Sequence, residues 1–260
     1  MKRLDWAQRR APEFATINPE TAIAILPTAA IEQHGPHLPV GTDTMIMQGM
    51  LDTLRATCPD DVDPWILPIQ TVGKSNEHLW AKGTLTMTAT TALAAWTEIG
   101  LSVARAGFKK IVIVNSHGGN LDLISILSRE LRVEAGILAV KCQWGNFGYP
   151  AGMYTAKESK FGIHGGDVET SLMRSFAPDT VDMSKAVNFV STAETDAIPP
   201  TGPISRGWIA SDLNPDGTVG DASIATAEKG RATADHQVAG FVDLLRQVRD
   251  MPVPSAPAHV

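Results

Sequence analysis

Short apolar runs alternate with amphipathic stretches through the first half of the chain, and this order most limits the folds open to it. Residues 22–27 (AIAILP), 65–69 (WILPI), 110–114 (KIVIV) and 136–142 (GILAVKC) are short and rich in β-branched side chains, as strands buried on both faces are. Between them, residues 43–57, 89–106 and 120–134 space their apolar side chains as helices do. The repeated strand-helix order predicts a doubly wound α/β fold, a mostly parallel sheet with helices on both faces. From residue 143 the chain turns irregular, with a short helix expected over 167–176 and a long one over 224–249 around a Pro/Gly-rich stretch at 198–222. No repeat or linker divides the sequence, so one domain over residues 1–260 is expected, its tail frayed from about residue 250.

Bulk properties exclude several classes of function. With 43% apolar residues the chain can bury a core. A net charge of −6 and the lack of any Lys/Arg run argue against holding nucleic acid by phosphate neutralisation. No segment has the length and apolarity to span a bilayer, and the N-terminal residues lack the apolar stretch of a signal peptide, so a cytoplasmic protein with no membrane partner is expected. The two cysteines, Cys58 and Cys142, fall at a helix end and in a strand, too few for a thiolate site. A metal ion, if held, must rest on histidine and carboxylates.

Such residues gather in loops that follow strands. The first loop, Glu32-Gln33-His34-Gly35-Pro36-His37-Leu38-Pro39-Val40-Gly41-Thr42-Asp43, comes directly after the first strand, where open parallel sheets bind ligands. Glu32 and His34, two apart, leave an extended segment on the same side. Asp43 falls at a helix start, where the helix dipole favours a carboxylate. The three are ligands suited to Zn²⁺ or Mn²⁺. Asn115-Ser116-His117-Gly118-Gly119-Asn120 follows the strand KIVIV, so His117 can converge on the first cluster. Gly118 and Gly119 allow close backbone approach and offer N–H groups to an oxyanion.

A third cluster, His164-Gly165-Gly166-Asp167-Val168-Glu169, leads into the short helix, and Gly73-Lys74-Ser75-Asn76-Glu77-His78 follows the second strand as a substrate-facing loop would. Taken singly, each cluster has a plainer reading: a helix cap with polar loop residues for the first, a tight turn with a satisfied histidine for the second, dipole compensation for the third and a surface loop for the fourth. Together they hold five of the seven histidines, a crowding that packing does not explain. Trp144 is read either as a pocket wall or as core.

The strings LPTAAIEQHGPHLPVGTD, GKSNEHLWAKGTLTM, VNSHGGN, HGGDVETS and GTVGDASIATAEKG, in that order over residues 26–230, resemble the creatininase (creatinine amidohydrolase) family. The resemblance implies a two-metal centre with ligands at Glu32, His34, Asp43 and His117, Asp43 bridging the two ions. Creatininase has a glutamate two residues after the histidine of its NGH motif; that position is Gly119 here, and Glu169 is expected to take its place. His164 matches a histidine that serves near the substrate, although the glutamate before it in creatininase is Ile163 here, which makes creatinine itself a doubtful substrate. Deformylases, other ring or amide hydrolases and the peptide-trimming enzyme of mycofactocin maturation share the missing glutamate. A homohexamer is implied too, with loops such as 143–163 completing a neighbour's site.

The expected activity is hydrolysis of a C–N amide bond in a small cyclic amide, with a linear amide as the alternative. Two divalent ions (Zn, Mn or Fe) activate water, Ser75, His78, Gly118, Gly119 and Trp144 bind substrate, Glu169 acts in catalysis, and His164 donates a proton to the leaving nitrogen as an acid of near-neutral pKa. A non-enzymatic metal-binding protein is the alternative of another class, against which the carboxylate-rich, loop-borne ligand set argues. A nucleotide-dependent enzyme is disfavoured because no GxxxxGK[ST] or GxGxxG follows a strand.

Overall fold

The structure, a computed structural model, describes residues 4–255. Four parallel strands, β1 (Ala22–Thr28), β2 (Asp63–Ile66), β3 (Lys110–Asn115) and β4 (Leu138–Gln143), form a sheet in the order β2-β1-β3-β4. Helices α1 (Thr42–Thr57), α2 (Ala89–Arg105) and α3 (Leu121–Ala135) alternate with them; α4 (Ala156–Phe161), α5 (Asp167–Phe176), α6 (Ala210–Leu213) and α7 (Ala227–Asp250) follow. Strands β5 (Asn188–Phe189) and β6 (Gly220–Asp221) pair antiparallel apart from the main sheet.

Strand alternation sorts the core into two layers. Ile23, Ile25, Val112, Val114, Leu138 and Cys142 pack with residues of α1, α5 and α7. Ala22, Ala24, Leu26, Ile111 and Ile113 pack with residues of α2 and α3 on the opposite face. The sheet is thus covered on both sides, as expected, and each fully buried Ile or Leu contributes roughly 1.5–3 kcal/mol.

The sequence placed β2 two residues late. Regular pairing with β1 runs from Asp63 to Ile66. Beyond it the Leu67 N–H still reaches the Ile25 carbonyl at 2.9 Å, and the ladder then slips by one residue, so that the Gln70 N–H, not that of Ile69, donates to the Pro27 carbonyl at 2.9 Å. Helix α5 has the expected bounds, whereas α7 begins at Ala227, where Thr226 caps it by accepting the Lys229 N–H at 3.2 Å. The irregular half contains α4, α6 and the β5–β6 pair, none of them expected. Both cysteines are free, and among the described residues no helix is long and apolar enough to cross a membrane. Of the expected frayed tail, residues 251–255 carry no helix or strand and the rest lies outside the described residues.

Candidate metal centre

Three parallel strands end on the same side of the sheet, and the segments leaving them carry the acidic and imidazole side chains. Glu32 and His34 lie in the loop after β1, Asp43 in the first turn of α1, and His117 two residues after β3. His164 precedes α5, and Glu169 sits in its first turn. Gly165, with φ +69°, lets the chain turn between them.

All six meet. His117 Nδ1 is 3.2 Å from both Glu32 Oε1 and Asp43 Oδ2. His34 Nε2 lies 3.5 Å from Asp43 Oδ1 and 3.7 Å from Glu169 Oε2. Asp43 therefore turns one oxygen to each imidazole, the arrangement expected of a bridging carboxylate. His164 Nδ1 is 3.5 Å from Glu32 Oε1. Three groups of donor atoms lie within 4.8 Å of one another: Glu32, His34 and His164; Glu32, Glu77 and His117; and His34, Asp43 and Glu169.

The donor set fits divalent cations. Glu32 Oε2, His34 Nε2 and Asp43 Oδ2 are buried with no hydrogen-bond partner, a cost of about 1–3 kcal/mol each unless something fills the gap. His34 Nδ1 lies 3.0 Å from the Glu32 carbonyl and His117 Nε2 lies 2.8 Å from the Lys74 carbonyl. In each ring the N–H donates to that carbonyl, and the lone pair of the other nitrogen faces carboxylate oxygens. A lone pair set against a carboxylate is repulsive unless a proton or a cation lies between them.

Ionisation follows from this crowding. Burial opposes charge on Glu32, yet the imidazoles of His117, His164 and His78 outweigh it and hold the carboxyl well below its usual range. Burial likewise opposes protonation of His34, but Asp43, Glu169 and Glu32 push that imidazole up to about 10. Burial pushes Glu169 up to about 7 against the pull of His34. Without cations the centre holds its carboxylates only by gathering protons on imidazoles, which metal ions would replace.

The remaining site residues divide. Gly118, Gly119, His78 and Trp144 line a cavity of about 830 Å³ that opens onto Glu32, Asp43 and His117. Ser75 does not line it, which corrects the sequence expectation: it is fully buried, and its Oγ lies 3.2 Å from His117 Nε2, so it supports that ring. His78 has Nδ1 2.8 Å from Gln33 and Nε2 3.5 Å from Glu32, so both nitrogens are engaged within the protein. Trp144 is largely core, packed edge-on against Phe241 at 5.0 Å, and only reaches the cavity wall. Burial, then the neighbouring His34, pushes His164 down to about 3, so the near-neutral acid expected from sequence is a neutral imidazole here.

Sequence reasoning missed several contributors. Glu77 is paired with Lys74 at 3.1 Å and stands beside His117, and Arg206 and Trp208 of the Pro/Gly-rich stretch form part of the far cavity wall. Thr218 Oγ1 donates to the His164 carbonyl at 2.6 Å and the Val219 N–H to the same oxygen at 2.8 Å. The string GTVG is the signal for this contact that the sequence offers.

The sequence model of the creatininase family (creatinine amidohydrolase) matches residues 7–245. The mycofactocin precursor peptide peptidase of Mycobacterium ulcerans (strain Agy99) is 31% identical over 214 residues, 80% of this chain and 78% of that protein. The creatinine amidohydrolase of Pseudomonas putida is 27% identical over 240 residues, 86% of this chain and 89% of that one. A manganese structure of creatininase superposes with a TM-score of 0.74 over 96% of this chain and 100% of that one, at 23% identity. A family match over nearly the whole length, on a sheet wound as in creatininase, makes this chain a member of the creatininase family of amidohydrolases.

Proposed function

We propose that the chain hydrolyses the C–N bond of an amide with the help of two divalent cations, zinc or manganese, with iron as a further candidate. Glu32, Asp43 and His117 would hold one cation; His34, Asp43 and Glu169 would hold the other. The observation that carries this reading is the set of three unpartnered buried atoms, Glu32 Oε2, His34 Nε2 and Asp43 Oδ2, in one centre. When bound, such cations lower the pKa of water toward neutrality and polarise a carbonyl.

The chain's own groups do the rest. Gly118 and Gly119 open the turn Gly118–Asn120 beside the cavity, and the leading N–H groups of such a turn have no partner inside it. They can donate to the oxygen that becomes negative as the carbonyl is attacked. Glu169 Oε2 accepts the Gly165 N–H at 2.6 Å, which fixes the carboxylate toward His34. His164 keeps its Nε2–H on the Gln33 carbonyl at 2.8 Å, so its Nδ1, a weak base 3.5 Å from Glu32 Oε1, would relay a proton to the leaving nitrogen during attack and not hold one beforehand. His164→Gln is expected to slow turnover by roughly 10²–10⁴-fold with bound metal unchanged. Loss of metal in step with activity would make His164 a ligand instead.

On substrate, the small cyclic amide expected from sequence would fill only part of the cavity. A volume of about 830 Å³, in the range of sites that enclose larger ligands, supports an amide carried on an extended molecule, and so does the 31% identity to a peptide peptidase. Purified protein should turn over members of an amide panel running from lactams and creatinine to formamides and short peptides. Chelation should abolish the activity, and Zn²⁺ or Mn²⁺ should restore it. Turnover that survives complete metal removal would refute the proposal. Assembly as a homohexamer is part of the same reading, supported by the exposed Leu79, Trp80 and Leu85, and light scattering giving six chain masses would agree with it.

A further inference from the structure

Gln33 sits between Glu32 and His34, yet none of its atoms is placed to hold a cation. It is buried, and its amide is spent inside the protein. Oε1 accepts the Gly35 N–H at 2.9 Å, while Nε2 donates to the Gly217 carbonyl and lies 2.8 Å from His78 Nδ1. These contacts fix which end of the amide is which: turned over, Oε1 would face the Gly217 carbonyl and the NH₂ group would face the Gly35 N–H. Close packing holds the contact in place, since Gly217 has φ +70° and a Cβ there would meet Gln33 Nε2 at 2.7 Å.

One Nε2 hydrogen goes to Gly217, so the other goes to His78 Nδ1. A ring nitrogen that accepts a hydrogen bond carries no hydrogen, so neutral His78 has its hydrogen on Nε2. That N–H is 3.5 Å from Glu32 Oε1. The 3.3 Å approach of Gln33 Nε2 to His164 Nε2 is not a hydrogen bond. Both amide hydrogens are already used, and His164 Nε2 donates to the Gln33 carbonyl at 2.8 Å. The bare Nδ1 of His164 then faces the same Glu32 oxygen at 3.5 Å.

We infer that Gln33 is a positioning residue that gives the two imidazoles beside Glu32 opposite roles, His78 as hydrogen donor and His164 as lone-pair bearer. The His78 N–H points its positive end toward Glu32 Oε1 at 3.5 Å, and the unpartnered Oε2 is left for a cation. Only the effect on cation affinity rests on the proposed function. The tautomer assignment stands apart from it.

Neutron diffraction from deuterium-exchanged crystals of the wild-type protein reads the tautomer directly. Deuterium is expected on His78 Nε2 and none on Nδ1; deuterium on His78 Nδ1 overturns the inference. With zinc as the probe, chelator competition should show Gln33→Met binding about tenfold more weakly, the scale of a lost outer partner. The double variant Gln33→Met/His78→Phe should bind zinc no more weakly than His78→Phe alone; additive losses would mean that Gln33 acts by another route and would overturn the inference. A wild-type protein that takes up no zinc would sink the proposed function, while the neutron result on metal-free crystals would still decide the role of Gln33.

Discussion

Asp43→Ala is expected to strip the centre of its cations and to lower amide turnover on the order of 10³-fold or more, at least what removal of one preorganised electrostatic contact costs elsewhere. The reason is geometric. Asp43 Oδ1 lies 3.5 Å from His34 Nε2 and Oδ2 lies 3.2 Å from His117 Nδ1, so one side chain serves both halves of the site. It is buried in the first turn of α1 on the cavity wall, and a water entering from the cavity would bring no negative charge to either half. The fold should survive, because Ser116 Oγ bonds the Asp43 backbone carbonyl at 2.9 Å and not its side chain. Elemental analysis beside a rate measurement checks the expectation. Wild-type metal content together with a wild-type rate in Asp43→Ala would show that the carboxylate does not join the two halves.

Putting the glutamate of creatininase back at position 119 is expected to damage this protein, not to convert it. A Cβ on Gly119 would meet the Lys74 carbonyl oxygen at 2.3 Å, Glu77 Oε1 at 2.4 Å and His117 Nε2 at 2.5 Å. The first of these is backbone and cannot swing aside. Overpacking commonly costs about 1–3 kcal/mol, and the fixed carbonyl puts Gly119→Glu at or above the upper end of that range, roughly 3 kcal/mol. The displaced His117 should weaken zinc binding as well. Denaturant titration and chelator competition measure the two losses. A variant that keeps wild-type stability and gains creatinine hydrolysis would show that the loop holding Lys74 and Glu77 can yield. Gly119 is thus more than a missing ligand: the space a side chain would need is occupied by Glu77 and the loop that carries it.

Much of the fold was legible in local pattern. β1 and β3 are apolar runs bounded by polar loops, and α5 begins where its first-turn acids Asp167 and Glu169 suggested. β2 was misjudged because hydrophobicity continues through Ile69 while the regular ladder ends at Ile66 and contact with β1 resumes, one residue out of register, only at Gln70. The elements missed in the second half are too short to show a period. They are held by distant contacts, such as Glu158 Oε2 accepting the Asp221 N–H at 3.2 Å, and a carboxylate in α4 leaves no local trace of that. The acidic and imidazole cluster was legible because cations demand particular side chains. Ser75 was misplaced because a hydroxyl beneath an imidazole and one facing a cavity look the same in sequence. The tasks of Gln33 and Thr218 depend on partners that only the folded chain supplies.

The threading of residues 217–219 beneath His164 also has a kinetic side. The Gln33 carbonyl meets His164 across 131 residues and the Gln33 amide meets Gly217 across 184, whereas β1 and β3 are joined across 87. Contacts that far apart form late in folding because the intervening loop must close first. During synthesis Glu32, His34, Asp43 and His117 therefore emerge well before the segment that locks His164 in place. Until that segment arrives, the His164 carbonyl lacks the Thr218 and Val219 donors that hold the residue in place.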